Sequence, residues 1–86
     1  MPVVNGRVRT RDGDPVPGAV LAFTSGPGAL PDVAALADDD GAFSLTAPIA
    51  GTYRIAANSD GYRAAECEVE VDEGSVSVEL HLEPLD

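Results

Sequence analysis

The 86-residue chain has no lysine and no tryptophan, one cysteine, one histidine and one methionine. With Cys67 alone, no intrachain disulfide can form, and a domain this small must hold together by packing. Aromatic rings are scarce too: Phe23, Phe43, Tyr53 and Tyr62 are the whole supply, so Val, Leu, Ile and Ala must build most of the core. No apolar run approaches the roughly 18 residues of a membrane-spanning helix. The opening residues, Met1 to Gly13, lack the basic-then-apolar order of a signal peptide. Positive charge is the other shortage. Five arginines face 15 carboxylates, giving a net charge of −10. Such a field repels nucleic acid and anionic lipid; it suits cationic partners, divalent ions, or a surface that only needs to stay in solution. A chain of this length makes one domain, spanning 1–86, and buries roughly 60–65% of the surface its unfolded form exposes. That leaves a modest core and little room for an enclosed substrate pocket. Two settings stay open: a domain of a longer exported protein, outside the cell or on its surface, or the cytoplasm if the chain is complete.

What the chain has in plenty is turn punctuation. Gly and Pro fall between apolar runs at roughly 8–12-residue spacing, the rhythm of a β-sandwich or barrel. The turns are Asp12 to Pro15, Pro17-Gly18, Ser25 to Asp32, Asp38 to Gly41, Pro48 to Gly51, Asn58 to Gly61 and Asp72 to Gly74. Seven strands are expected between them: Val3–Arg11, Ala19–Thr24, Val33–Ala37, Ala42–Thr46, Tyr53–Asn58, Tyr62–Val71 and Ser75–Glu83. The last two alternate most clearly. Cys67, Val69 and Val71 interleave with Glu66, Glu68 and Glu70, and Val76, Val78, Leu80 and Leu82 with Ser77, Glu79 and His81. Alternation of this period sends the first member of each set to the core and the second to water. A two-residue turn at Glu73-Gly74 then predicts an antiparallel hairpin with Glu68 opposite Glu79. Leu30–Asp39 has the alanine content and the early proline of a short helix, but it leads directly into an alternating strand and is read as a strand.

Three segments fall together in a distinctive order: G-R-V-R-T-R-D-G-D-P-V-P-G-A-V from Gly6 to Val20, D-D-D-G-A-F-S-L from Asp38 to Leu45, and G-T-Y-R-I-A-A from Gly51 to Ala57, closed by Gly61-Tyr62. In this order the chain resembles the carboxypeptidase regulatory-like domain, a transthyretin-like sandwich related to the B-type repeats of bacterial surface proteins. The resemblance implies a seven-stranded antiparallel Greek-key β-sandwich. It also implies an accessory role, as a spacer, folding aid or docking module beside a peptidase domain or inside a larger surface or secreted protein. The residues that carry it have fold-making roles. Pro15 and Pro17 fix φ around a bend, Asp38 and Asp40 bond turn amides, and Gly41 supplies a left-handed conformation. Phe43, Tyr53, Ile55 and Ala57 face inward, while Tyr62 spans the core with its ring and reaches a backbone group with its hydroxyl.

The chemistry-bearing residues point away from catalysis. His81 faces water and Cys67 faces the core, so they cannot act as a nucleophile and its base. Among transthyretin-like folds, the 5-hydroxyisourate hydrolase relies on several histidines and a C-terminal Tyr-Arg-Gly-Ser, which this chain lacks. The Lys–Asn isopeptide of some B-type repeats is impossible without lysine. Asp38, Asp39 and Asp40, with Asp60 as a further candidate, offer calcium hard oxygen ligands, yet the run of three is contiguous and lacks the alternating spacing of an EF-hand loop, so turn formation accounts for it first. No cofactor is expected, calcium being the one candidate. Sugar binding would need exposed rings, and Phe43 and Tyr53 are committed to the core. There remains an acidic strip of Glu66, Glu68, Glu70, Glu79 and Glu83 with His81 among them, which either blunts a sheet edge or docks a protein partner such as another domain of the same host. The expected function is thus a non-catalytic accessory module, with a calcium- or carbohydrate-binding domain as the alternative.

Overall fold

The computed structural model describes residues 2–28 and 34–85. They form seven strands: β1 (Val3–Thr10), β2 (Val20–Ser25), β3 (Ala35–Leu36), β4 (Ala42–Thr46), β5 (Gly51–Asn58), β6 (Ala65–Val71) and β7 (Val76–Leu82). They make two sheets, in the orders β4-β1-β7 and β3-β2-β5-β6, and no helix is present among the described residues. The chain is therefore a two-sheet β-sandwich. Residues 29–33, including Val33 and the first four residues of the helix-like segment Leu30–Asp39, lie outside the described residues; Ala35 and Leu36 are in a strand.

Alternation places the core as expected. From the smaller sheet, Val4, Val8, Phe43, Leu45, Leu80 and Leu82 are buried; from the larger, Leu21, Phe23, Tyr53, Ile55, Ala57, Val69 and Val71. Each such aliphatic side chain contributes about 1.5–3 kcal/mol on burial. The aromatic component is a tilted pair, Phe23 and Tyr53, with ring centroids 4.6 Å apart. Val16 is buried between Pro15 and Pro17, where the chain leaves the smaller sheet. There the Val16 N–H donates to the Val8 carbonyl, and the Gly18 N–H to that of Ala37 in the path of the larger sheet. The two prolines keep this crossing from continuing as strand.

Two expectations are corrected. First, β6 and β7 do not form a hairpin. β6 pairs with β5, whereas β7 crosses to the other sheet and lies parallel to β1. Glu68 consequently stands opposite Arg54, and Glu79 opposite Arg7, not opposite each other. The sandwich is thus not wholly antiparallel. Alternation only demands that both strands put their apolar sides on the same core, and two strands stacked across a sandwich satisfy that as well as two neighbours in one sheet. Second, the core-spanning tyrosine is Tyr53 rather than Tyr62. The Tyr53 hydroxyl donates to the Ile49 carbonyl at 2.6 Å and accepts from the Ile49 N–H at 3.3 Å, while Tyr62 is half-buried at the core's margin.

Candidate protein-docking surface

The acidic strip is split between the two sheets. Glu66, Glu68 and Glu70 alternate along β6, an edge strand, and project from the outer face of the larger sheet opposite Ala56, Arg54 and Thr52. Arg54 partly neutralises this row, lying 3.4 Å from Glu66 and 3.7 Å from Glu68. All three groups are well exposed, so these pairs set orientation more than stability. Glu79 and His81 project instead from the outer face of the smaller sheet. Glu79 receives Arg9 at 3.7 Å and the His81 Nε2 at 3.0 Å. Glu83 follows β7, exposed, and its carbonyl accepts from the Arg63 N–H.

Sequence reading missed two features. Arg7 and Arg9 share the outer face of the smaller sheet with Glu79, beside a shallow groove of about 470 Å³ that Asn5, Ser77 and Glu79 also line. The alternation G-R-V-R carries this signal, since arginines two apart on a strand share a face. On the outer face of the larger sheet, Val20 and Leu36 are cross-strand partners with 41% and 69% of their surface exposed. Ala22 and Ala56, which face each other across β2 and β5, continue this apolar area toward Glu66. Val20 was hidden by its place in an unbroken apolar run, where nothing in the pattern separates inner from outer residues.

Asp38 is engaged within its own turn. Its Oδ1 accepts from the Asp40 and Ala42 N–H groups, each at 2.9 Å, and its carbonyl accepts from the Gly41 N–H. Gly41 has φ 77°, and a Cβ there would collide with the Val8 carbonyl oxygen, so glycine is required twice over. Asp39 and Asp40 are exposed. Among the described residues, no three His, Cys, Asp or Glu side chains converge on a point that could hold a metal ion. Cys67 is half-buried against the core from β6, on a different sheet from His81 and turned away from the solvent face. Burial pushes its thiol above its ordinary value, with the Arg54 guanidinium pulling the other way.

Residues 3–83 match the family model described as the carboxypeptidase regulatory-like domain. No curated protein matches the chain in sequence. Among solved structures, hydroxyquinol 1,2-dioxygenase from Pseudomonas putida DLL-E4 superposes with a TM-score of 0.78 at 14% identity, over 98% of this chain and 56% of that one. Chlorocatechol 1,2-dioxygenase from Pseudomonas putida gives 0.71 at 10% identity, over 95% of this chain and 59% of the other. The Caf1A usher C-terminal domain, on which surface hydrophobic clusters are important for F1 antigen assembly, gives 0.61 at 14% identity, with 98% and 99% of the two chains covered. The chain spans little more than half of either dioxygenase, and at these identities all three likenesses speak for the β-sandwich fold alone.

Proposed function

Because this chain belongs to the carboxypeptidase regulatory-like domain family, whose members are typically non-catalytic accessory modules, we propose that it serves a larger exported protein by docking against it and stabilising it. The observation that carries this reading is the outer face of the larger sheet, where the exposed Val20–Leu36 pair is continued by Ala22 and Ala56 toward Glu66. Exposed apolar side chains grouped on an open sheet face are the make-up of a protein contact rather than of a small-molecule pocket. The usher C-terminal domain offers a precedent for a sandwich of this shape that works through surface hydrophobic clusters. Neither calcium nor sugar gains similar support, since the Asp38 carboxylate is spent on its turn and no large ring is exposed.

The test compares the full-length gene product with a version lacking residues 3–83, and with one carrying Leu36→Asp. Docking predicts a lower melting temperature for the rest of the protein in the deletion, and the same direction of change, smaller, in Leu36→Asp. An unaltered melt in both would remove the docking reading and leave the domain a spacer. Fractionation of the same strain reports whether the host is exported.

A further inference from the structure

β6 and β7 end their respective sheets on the same flank of the sandwich, where they lie against each other and are linked through the main chain at the two ends. One link is the turn from Asp72 to Ser75. The other is a short antiparallel bridge in which the Arg63 N–H donates to the Glu83 carbonyl and the Leu85 N–H to that of Gly61. Between these points β7 is paired along one side, by β1, and among the described residues no strand pairs its other side. The opposite flank is different, because β3 runs almost directly into β4 and the Asp38 N–H bonds the Ala42 carbonyl across the change of sheet.

The side chains show the same asymmetry. Among the described residues, five of the six partly buried apolar residues packed against the core, Tyr62, Ala65, Cys67, Val76 and Val78, lie along the β6–β7 flank, and the sixth, Ala35, lies elsewhere. The inward sides of both edge strands thus form a half-open apolar seam. Its rim is acidic, with Glu66, Glu68 and Glu70 on one side and Glu79 and Glu83 on the other. A shallow groove of about 250 Å³ opens beside it, between Ala65 and His81.

We propose that the free edge of β7 accepts an extended segment of a partner protein as a fourth strand of the smaller sheet, the segment being apolar at alternate positions and carrying Arg or Lys at the others. The unpaired main-chain groups of an edge supply the hydrogen bonds, and alternate side chains supply the selectivity. Apolar residues of the incoming strand would cover Val76, Val78 and Cys67, while its outward residues would lie on the outer face of the smaller sheet beside Glu79 and Glu83. This acidic rim argues against a second copy of the chain. Pairing β7 with β7, or β6 with β6, brings glutamates of one copy against those of the other between bodies of net charge −10 each. The proposal rests on the docking reading above and assigns it a place and a partner chemistry.

The test uses two capped nine-residue peptides with Arg and Val in alternation, identical except that the central Val is Pro in the second. Charge is the same in both, but proline breaks the ladder. Amide exchange of residues 76–82 is followed by NMR, and the labelling rate of Cys67 serves as a reporter inside the seam. Strand addition predicts that the alternating peptide slows exchange along β7 and labelling of Cys67 by about tenfold or more, and that the proline peptide does neither. The half-exposed Val76→Glu, checked for an unchanged far-UV spectrum, should lose that protection. Equal effects of the two peptides would mean charge attraction only and would overturn the proposal. Perturbation of Val20 and Leu36 with β7 unaffected would also overturn it, while leaving docking by the outer face intact. Dimerisation of the protein alone with β7 protected would make a second copy the occupant. Absence of any protection by either peptide would show a closed edge, and the host-deletion experiment would then judge the docking reading by itself.

Discussion

Phe43 lies directly across from Gly6 in the β1–β4 pair, and its ring occupies the space that a side chain at Gly6 would fill. A Cβ on Gly6 would come within 2.7 Å of the Phe43 Cζ and 2.5 Å of the Val78 carbonyl oxygen. The bare backbone of β1 therefore shapes the seat of the only aromatic ring that the smaller sheet sends to the core. Gly6→Ala should cost about 1–3 kcal/mol through overpacking, and Phe43→Ala about 3–5 kcal/mol through the cavity it leaves. In the double variant the penalties should be less than additive, since removing the ring removes its clash and leaves only that with the Val78 carbonyl oxygen. Denaturant unfolding of the four proteins measures this, and strict additivity would show that ring and glycine are independent.

Tyr53 closes the opposite sheet. Its hydroxyl exchanges hydrogen bonds with both backbone groups of Ile49, pinning the β4–β5 connection to the core. Tyr53→Phe keeps the ring against Phe23 and loses only those bonds. About 1 kcal/mol of stability should disappear, and exchange of the Ile49 amide should quicken. A melt identical to that of the parent would mean that water replaces the hydroxyl without cost.

How much of this was legible in the sequence depends on the range of the interaction. The Asp38–Gly41 turn was readable because carboxylate, amides and glycine lie within five residues of one another. The inward positions of Phe43, Tyr53, Ile55 and Leu80 were readable because a strand's period decides its faces. Which strand β7 would pair with was not, because alternation is indifferent to whether its partner is β6 or β1. The exchange of roles between Tyr53 and Tyr62 has a similar origin. Each is a tyrosine beside a turn, and only the loop that folds back to Ile49 distinguishes them. The acidic candidates were all correctly placed outward, yet the strip they suggested dissolved once β7 joined the other sheet.

Cys67 gives a pH-dependent signature. Its thiol is held above its ordinary value chiefly by burial, against the pull of Arg54. A raised folded value means that the neutral thiol is favoured in the native state. The associated stability is complete below the unfolded value of about pH 8.5, and it is lost as pH rises through the folded one. Cys67→Ser should show a shallower decline above that pH. Native labelling at pH 8 should be slower than in denaturant, and Arg54→Gln should slow it further by removing the group that favours thiolate. Faster labelling in Arg54→Gln would show that Arg54 shields the sulfur rather than activating it.

The acidic turn separates a structural carboxylate from a metal ligand. Asp38 accepts two backbone N–H groups through one oxygen, whereas Asp39 and Asp40 project into water. If turn formation is the role, Asp38→Ala should cost about 1–2 kcal/mol, as the loss of a capping side chain does elsewhere. Asp40→Asn should then be close to neutral. With a net charge of −10, added salt should raise the melting temperature by screening self-repulsion. Sodium and calcium chloride at matched ionic strength should do so by similar amounts. A calcium site predicts another pattern, because a ligand that binds only the folded state stabilises it in proportion to the logarithm of its concentration. Millimolar calcium would then act where sodium does not, and Asp40→Asn would abolish the difference. Equal responses to the two salts, with Asp38 alone sensitive to substitution, are the expected result; a calcium-specific rise lost in Asp40→Asn would instead make this turn a binding site.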